Sequence, residues 1–261
     1  MKCRICKFDC EEIFDAQILS KHRVKYYYCE NCGFLFTENP HWLAEAYKES
    51  MNFSDTGALR RNVLFSKYSS VLLYFIFDKK AKFLDWAGGF GVFTRLMRDI
   101  GFDFYWNDPY TENILARNFE GSETDKYELV TSFESFEHFV DPISELEKIL
   151  KVCKNIFFST EPLPNPVPLP ADWWYFGLCH GQHLSFYSPK TLKYLAHKYG
   201  LRYYSYGSLH LFTKKKISKI RFRLLFKMTE FGLDRFVARR MKSKTISDMQ
   251  SIVKKLSKKS K

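Results

Sequence analysis

The chain has 261 residues, 46% of them hydrophobic and 18% aromatic, a length that suits one enzyme domain with an accessory module. This apolar content can fill a packed core and excludes an intrinsically disordered protein. The longest apolar run, from Val71 to Phe77, is far shorter than the roughly 20 residues of a membrane span, and the first residues lack the apolar stretch of a signal peptide. We therefore expect a cytoplasmic protein.

The net charge of +12 is distributed unevenly along the chain. Residues 214–261 contain 17 Lys or Arg and three Asp or Glu, a net charge of +14, so the residues before them sum to about −2. A near-neutral body with a basic tail argues against nucleic acid as the partner of the body. The alternative is a protein that binds RNA through an N-terminal metal module and the basic tail.

Four cysteines near the N-terminus are spaced as two C-x2-C pairs, Cys3 with Cys6 and Cys29 with Cys32. In a cytoplasmic chain this spacing predicts a tetrahedral four-thiolate Zn²⁺ site, which leaves no open position for chemistry. We expect a structural zinc ribbon over residues 1–38, because so small a module has too little core to fold without the metal. The alternative is a set of reduced, unliganded cysteines.

Residues 39–79 are expected to be a helical segment. The predicted helices run from Trp42 to Glu49 and from Gly57 to Phe77, and the second has apolar residues at helical spacing. That apolar face is consistent with packing on a sheet.

The stretch FLDWAGGFG, from Phe83 to Gly91, joins a strand predicted over residues 81–86 to a helix predicted over 92–100. A strand, a glycine-rich turn and a helix are typical of a nucleotide-binding loop at the carboxyl end of a first parallel strand. Gly89 and Gly91 lack Cβ atoms, so a ligand can lie against the backbone there. The free amides at the start of the helix would face a carboxylate or phosphate.

A second predicted strand, residues 102–107, ends at Asp108. An acidic residue about 17 positions past the glycine loop suits hydrogen bonds to both ribose hydroxyls. The alternative is an aspartate that starts the turn before Pro109. The loop upstream favours the ligand interpretation.

Strands and helices alternate through the rest of the core, which predicts an α/β, doubly wound parallel sheet with right-handed crossovers. Asp141 and Ser188 are expected to cap two of the helices. The predicted elements are a helix over 111–119, a short strand in 120–125, a strand over 126–133, a helix over 143–152, a strand over 155–160, a helix over 190–199, and an antiparallel pair of strands over 201–206 and 209–214.

Residues 161–183 interrupt this alternation with five prolines followed by Trp173, Trp174 and Tyr175. The prolines exclude a helix or a central strand. A stiff loop after the fifth strand lies at the ligand-binding edge of such a sheet, and aromatic side chains there suit a sugar ring or another flat, partly apolar acceptor. We expect one tryptophan to be buried and the other to face the pocket.

The loop from Asp85 to Gly91 resembles motif I of class I S-adenosylmethionine-dependent methyltransferases, whose pattern is acidic-x-Gly-x-Gly-x-Gly. Asp85 takes the acidic position, and Gly89 and Gly91 take the second and third glycines. Ala87 stands in place of the first glycine, which Ala tolerates if its φ is negative. Gly88 stands where Cys or Ser is frequent.

The resemblance covers about residues 80–214 and implies a Rossmann-like, mostly parallel sheet of seven strands. It implies that the loop binds the methionine part of the cofactor, that Asp108 binds the ribose, and that the helices of residues 39–79 cover the cofactor. The segment from Glu134 to Pro142 resembles the family's segment after strand four, which places Glu134 at the cofactor and makes His138 a candidate base.

A metal module before such a core resembles the sugar C-methyltransferases, which act on nucleotide-linked keto sugars and carry a Tyr-His-Glu-His segment. This chain has His180, Gly181, Gln182 and His183 there, so His183 is retained while the Glu is replaced by Gln182. Proton abstraction from carbon needs a carefully placed base, whereas transfer to a hydroxyl needs one base with a pKa near neutral.

We therefore expect methyl transfer to a sugar hydroxyl on a small-molecule or lipid-linked glycan precursor of a polysaccharide. C-methylation and a scaffold that binds the cofactor without turnover are the alternatives. The oligomeric state is open. His183 is the first candidate base, followed by His138 and His180, and the expected substrate contacts are Trp173, Trp174, Tyr175 and Gln182.

The tail, residues 215–261, has apolar residues three and four apart, interleaved with Lys and Arg. A basic amphipathic helix of this kind can lie on an anionic membrane surface as a peripheral contact, or pack on the body or a partner subunit with its charges solvated. The lysine-rich end from Leu256 to Lys261 is expected to be disordered.

Overall fold

The computed structural model describes residues 1–48, 52 and 55–259. The chain forms two compact units that alternate along the sequence. The first unit comprises residues 1–55 and 132–216, and the second comprises 56–131 and 217–261.

The described residues contain ten strands and eight α-helices, together with two single 3₁₀ turns at Phe136–His138 and Trp174–Phe176. The strands are β1 (Glu11–Ile18), β2 (His22–Cys29), β3 (Phe34–Thr37), β4 (Lys82–Trp86), β5 (Asp103–Asn107), β6 (Leu129–Ser132), β7 (Ile156–Ser159), β8 (Ser185–Tyr187), β9 (Arg202–Tyr206) and β10 (Leu209–Thr213). The helices are α1 (Leu43–Ala46), α2 (Ala58–Ile76), α3 (Val92–Ile100), α4 (Pro142–Val152), α5 (Pro189–Lys198), α6 (Lys219–Glu230), α7 (Leu233–Arg240) and α8 (Thr245–Lys259).

An antiparallel sheet with the order β1-β2-β3-β8 forms the N-terminal part of the first unit. Alternation along β2 buries Val24 and Tyr26 and exposes Lys25, the pattern of a strand with one face on a core. The fourth strand, β8, pairs with β3 so that Phe34 lies opposite Tyr187. Our sequence analysis missed β8, because a three-residue strand has no periodicity to detect. The predicted ribbon therefore continues into a strand that begins two positions after His183.

The proline-rich loop closes the core of this sheet. One cluster of buried side chains joins Tyr26 and Trp42 to Leu163, Trp173 and Phe176. The rings of Trp173 and Phe176 meet edge to face at 5.2 Å, and Tyr26 meets Phe176 in the same way at 5.5 Å. The loop is therefore an integral part of the first unit.

The same unit contains the antiparallel set β7-β10-β9, in which Leu211 lies opposite both Phe157 and Tyr204. This confirms the predicted closing pair of strands. Both predicted helix caps are also confirmed: the Asp141 carboxylate accepts hydrogen bonds from the first amides of α4, and the Ser188 hydroxyl accepts one from the Thr191 amide of α5.

The second unit has the parallel order β5-β4-β6, in which Leu84 lies opposite Tyr105 and Val130. Helices α3, α6 and α7 contact α2. Apart from the N-terminal sheet, each unit has three strands, which makes six in the described residues where we expected seven. The short strand expected in 120–125 is reduced to a single parallel bridge between Trp106 and Glu120. This segment turns instead, because the Tyr127 hydroxyl bonds to the backbone of Ser122.

The predicted helix over 111–119 is wrong, because the structure has only turns there. The Asn113 side chain accepts a hydrogen bond from the Ala116 amide and donates one to Glu120, while Asn118 has a φ of 71°. An asparagine that bonds nearby backbone offers the chain an alternative to the helix.

Helices α6, α7 and α8 confirm the helical tail, and all three lie in the second unit. The expectation of disorder from Leu256 is wrong as far as Lys259, where α8 ends; residues 260–261 lie outside the described part. The predicted helix from Trp42 is shorter than expected, and its last residue, Glu49, also lies outside it. No helix in the described residues is long and apolar enough to cross a membrane.

A buried ion pair anchors the tail. Arg98 of α3 donates two hydrogen bonds of 2.8 Å to the Asp248 carboxylate of α8, and its third nitrogen bonds Asp103 and the Phe104 carbonyl. The guanidinium also lies 3.6 Å from the centre of the Phe119 ring. Both charges of the pair are fully hydrogen-bonded, as a buried pair requires. The tail is thus part of the second unit.

Candidate functional site

Asp85 lies at the end of β4 and is only 3% exposed. Its carboxylate accepts hydrogen bonds from the hydroxyls of Thr131, at 2.9 Å, and Thr94, at 3.1 Å. Burial raises the pKa of Asp85 to about 7. The hydrogen bonds from the two hydroxyls lower this pKa, and the charge of Asp108 raises it. Asp85 therefore joins β4 to β6 and α3 beneath the glycine loop.

The glycine loop runs from Ala87 to the start of α3, and its backbone is left-handed at Ala87, Gly89 and Gly91. The φ of Ala87 is 57°, so the negative φ under which alanine would be tolerated is not found, and this alanine is strained. A Cβ atom added at Gly89 would meet no atom within 4 Å, whereas one at Gly88 would lie 2.7 Å from the Trp106 ring. Gly89 is thus the position where the backbone faces open space.

Asp108 follows β5 and holds the glycine loop through hydrogen bonds. One carboxylate oxygen accepts a 2.9 Å hydrogen bond from the Gly89 amide, and the other accepts bonds from the amides of Tyr110 and Thr111. The Trp106 ring nitrogen donates to the Gly89 carbonyl at 2.7 Å. Asp108 thus starts a turn, as the alternative interpretation expected, and also holds the loop; its contact with a ribose stays a prediction.

Glu134 follows β6 in the first unit and has a φ of 50°. Its carboxylate accepts a 2.6 Å hydrogen bond from the Ser159 hydroxyl, which in turn accepts one from the Glu134 amide. These paired bonds fix the Glu134 side chain at the end of β7.

The three candidate histidines lie together in the first unit. The ring of His183 is centred 5.0 Å from that of His138 and 4.8 Å from that of His180. The Nδ1 atom of His183 lies 2.6 Å from the Tyr175 carbonyl oxygen, which can only accept. The neutral His183 ring therefore has its hydrogen on Nδ1, and Nε2 is its unprotonated nitrogen.

The other two histidines have different hydrogen bonds. The Nδ1 atom of His180 accepts from the Gln182 amide, so its neutral ring has the hydrogen on Nε2. The Nδ1 atom of His138 lies 2.7 Å from the Tyr47 hydroxyl. Burial lowers the pKa of His138 to about 4 and also lowers the pKa of His180. Both rings are therefore neutral near pH 7.

The expected substrate contacts are divided between the interior and the surface. Trp174 is 77% exposed, whereas Trp173 and Tyr175 are buried. Gln182 is also buried, and its side-chain amide donates to the Ala46 carbonyl at 2.8 Å. Burial raises the pKa of Tyr175 well above its usual value, so this phenol is neutral. Trp174 is the member of this set that is open to a ligand.

Sequence reasoning missed Glu137 and Tyr47. Glu137 is buried, and its carboxylate and the rings of His138 and His183 bring three ligand-type atoms within 4.8 Å of one another. The adjacent Glu-His pair was a signal for Glu137. Tyr47 has no such signal, because it lies 91 positions from His138 in the chain.

The four predicted zinc ligands come together in the first unit. The sulfur atoms of Cys3 and Cys32 are 3.6 Å apart, those of Cys6 and Cys29 are 3.4 Å apart, and all four lie within 4.8 Å of one another. A tetrahedral ion with Zn–S bonds of about 2.3 Å needs sulfurs roughly 3.8 Å apart, so the four fit a zinc ion. The hydrogen bond from Cys32 lowers the pKa of the Cys3 thiol to about 5, which favours the thiolate.

A family model described as a methyltransferase domain matches residues 59–206. Among solved structures, the plantazolicin methyltransferase BpumL in complex with SAH is 13% identical with a TM-score of 0.50, over 76% of this chain and 89% of that one. This likeness shows the fold.

Two further solved structures have lower TM-scores than BpumL. Human N-acetylserotonin methyltransferase with SAM is 17% identical with a TM-score of 0.44, over 67% of this chain and 66% of that one. Magnesium protoporphyrin IX methyltransferase from Synechocystis PCC 6803 with SAH is 13% identical with a TM-score of 0.46, over 66% and 93%. No curated protein sequence matches the chain.

Proposed function

Because this chain belongs to the methyltransferase-domain family and is an S-adenosylmethionine-dependent methyltransferase, we propose that it methylates a hydroxyl of a sugar or glycan precursor. The observation that carries the proposal is the His183 ring, in which the Tyr175 carbonyl accepts the Nδ1 hydrogen, so that Nε2 is the unprotonated nitrogen of the neutral ring. The cofactor supplies an activated methyl group with its own leaving group. The protein then has to position the acceptor and remove its proton.

In this proposal the glycine loop binds the cofactor. The open backbone at Gly89 would lie against the methionine part, and the Asp108 carboxylate, already at the loop, would bind the ribose hydroxyls. Asp85 supports the loop from beneath through Thr94 and Thr131. Glu134, held by Ser159, stays a proposed cofactor contact.

His183 is the proposed base. His180 is a weaker candidate because its Nδ1 already accepts a backbone hydrogen bond, which leaves a hydrogen on Nε2. His138 is weaker because burial lowers its pKa to about 4, so it binds a proton poorly near neutral pH. His138 and Tyr47 would orient the acceptor beside His183.

The environment of Gln182 favours oxygen over carbon as the methylated atom. Its side chain is buried and bonded to the Ala46 carbonyl, so this position offers no carboxylate for abstracting a proton from carbon. The exposed Trp174 suits stacking against a sugar ring. A hydroxyl acceptor requires a single base, which His183 can provide.

We also propose that Cys3, Cys6, Cys29 and Cys32 hold a structural zinc ion. The four sulfurs have the spacing of a closed tetrahedral site, and Cys10, whose pKa is raised by burial and by the neighbouring thiolates, stays a thiol outside it. The segment that contains Cys29 and Cys32 contacts the start of α5, where the Thr191 hydroxyl donates to the Cys32 carbonyl.

The test of the acceptor uses S-adenosylmethionine with a ¹³C-labelled methyl group and a panel of nucleotide-linked and lipid-linked sugars. We expect an O-methyl product, which the chemical shift of the labelled carbon distinguishes from a C-methyl product. Calorimetry of cofactor binding accompanies the assay, with Asp108→Ala as the variant expected to lose binding. A C-methylated sugar, or labelled RNA but no labelled sugar, would contradict the proposal.

A further inference from the structure

Helix α6 has two apolar faces on opposite sides. Phe222 and Phe226 are buried on one face, where Phe226 stacks on Tyr68 of α2 with ring centres 5.3 Å apart. This contact fixes the orientation of the helix on the second unit, so the other face points outward.

The outward face is a stripe of large apolar side chains, which we name the α6 stripe. At about 100° per residue its members fall within about 80° of one another, opposite the buried face. Their exposed fractions range from 44% to 80%. The members are Ile220, Leu224, Met228 and Phe231.

Basic residues flank the α6 stripe on both sides. Arg223 and Lys227 lie along one edge of the stripe and Arg221 along the other, at the positions that 3.6 residues per turn dictate. Arg221 also donates to the Phe75 carbonyl, and Lys227 pairs with Glu230. An apolar stripe with cations along its edges is the arrangement of a helix that lies in the plane of an anionic lipid surface.

The second unit has a similar stripe on α8. Ile246, Met249 and Val253 are each at least half exposed and fall on one side of that helix. Asp248, which holds α8 to Arg98, lies on the other side. Residues 214–261, which carry both stripes, have a net charge of +14, which makes their surface complementary to anionic headgroups.

We propose that the α6 stripe and its flanking cations dock this enzyme on an anionic lipid surface. The apolar side chains enter the boundary between headgroups and acyl chains, while Arg223 and Lys227 contact the phosphates. Docking of this kind would bring the enzyme to a lipid-linked acceptor, an extension that rests on the proposed methyl transfer to a glycan hydroxyl.

The test is co-sedimentation of the full chain with phosphatidylcholine vesicles, with and without phosphatidylglycerol. We expect binding only to the anionic vesicles, and release when salt is added. The double variant Ile220→Ser with Leu224→Ser should weaken binding by at least about tenfold, because it removes the inserted side chains. The variant Arg223→Gln with Lys227→Gln should weaken it about tenfold as well, while leaving the apolar stripe unchanged.

The matched control is Leu59→Ser with Leu64→Ser, two exposed leucines on α2 outside the stripe, which should leave vesicle binding unchanged. Circular dichroism and cofactor binding verify that each variant is folded.

The proposal fails if the native chain does not bind anionic vesicles. It also fails if light scattering finds a dimer that the Ile220→Ser, Leu224→Ser variant abolishes, because a second copy then covers the stripe. Vesicle binding needs neither cofactor nor acceptor, so its failure is distinct from a failure of the methyl-transfer assay.

Discussion

At the scale of single residues, the two carboxylates at the proposed cofactor loop have different environments. Asp108 is half-buried and bonded to the loop backbone, whereas Asp85 is enclosed and bonded to two hydroxyls. The sequence motif identifies both positions but does not separate their tasks. Burial separates them, because only an enclosed carboxylate has to lose its hydration.

Asp85 should make the stability of the cofactor-free protein depend on pH. Its pKa is about 7 when folded against an ordinary value of 3.8, so the folded protein keeps a proton that the unfolded chain has lost between these values. The stability associated with that proton is present below pH 4 and is lost as the pH rises to about 7. In Asp85→Asn the free energy of unfolding should therefore increase relative to the native protein by roughly 2–3 kcal/mol between pH 5 and pH 8.

Urea unfolding of both proteins at the two pH values, without cofactor, measures this difference. Thr124→Ala, a change in an exposed turn, serves as the control for general pH effects. A constant difference between native and Asp85→Asn protein across the range would contradict the pKa assigned to this group.

His183 should be the residue whose loss affects turnover most. We expect His183→Gln to lower kcat by about 10²–10⁴-fold with cofactor affinity unchanged, because the variant lacks a base while keeping a donor for the Tyr175 carbonyl. His180→Gln is the matched control in the same loop and should lose less than about tenfold. Steady-state kinetics with labelled cofactor would overturn the assignment if the His180 variant were the slower of the two.

At the scale of elements, the loop between β4 and α3 contains strain that the sequence motif did not predict. Ala87 occupies the position of the motif's first glycine, and its φ of 57° lies in the region that glycine tolerates. Ala87→Gly should relieve about 1–2 kcal/mol of backbone strain, offset by up to about 1 kcal/mol of added chain entropy in the unfolded state. We expect a net stabilisation of about 0.5–1 kcal/mol in thermal unfolding, and a loss of stability would show that the alanine methyl group contributes to packing.

Helix α8 should depend on its buried carboxylate. Asp248→Ala leaves the Arg98 guanidinium buried with only Asp103 as its acidic partner, so we expect a loss of about 3 kcal/mol in the free energy of unfolding. Lys255→Ala, which changes an exposed side chain of α8, should change stability by less than about 0.5 kcal/mol. Chemical denaturation of the two variants compares them, and equal effects would mean that the pair does not anchor the helix.

Elements with strong local signals were predictable, and those made by distant partners were not. The glycine loop, the caps at Asp141 and Ser188 and the helical tail each have a signature within a few residues. The helix expected over 111–119 failed because the side chain of Asn113 bonds to a nearby amide, which a pattern of apolar residues does not reveal. Strand β8 was not predicted because its partner, β3, lies far away in the sequence.

The candidate site shows the same division. The cysteine spacing placed four sulfurs within reach of one ion, and the three histidines singled out from the sequence are neighbours. The bonds that decide their tasks join residues 91 positions apart, for Tyr47 and His138, or 136 positions apart, for Ala46 and Gln182. No local pattern encodes contacts of that range.

At the scale of the whole molecule, the proposed metal module and β8, the strand after the proposed base His183, share one sheet in the first unit, while the proposed cofactor loop lies in the second unit. Removal of zinc, by a chelator or by Cys29→Ser, should therefore displace β3 and β8 and reduce methyl transfer at least about tenfold, while cofactor binding persists. Metal analysis, calorimetry and the transfer assay test this together, with Cys10→Ser as the control that keeps its metal. Equal loss of cofactor binding and transfer would indicate that the entire chain depends on the ion.

The pairing of β3 with β8 also affects how the chain is made. The buried Phe34, Leu35 and Phe36 leave the ribosome long before Tyr187, which lies about 150 residues further along the chain. At a synthesis rate of roughly 5–20 residues per second, this hydrophobic edge stays unpaired for about 10–30 s. An open apolar strand edge is a template for association with other chains. The nascent protein therefore passes through an interval of exposure to aggregation that ends only when β8 emerges.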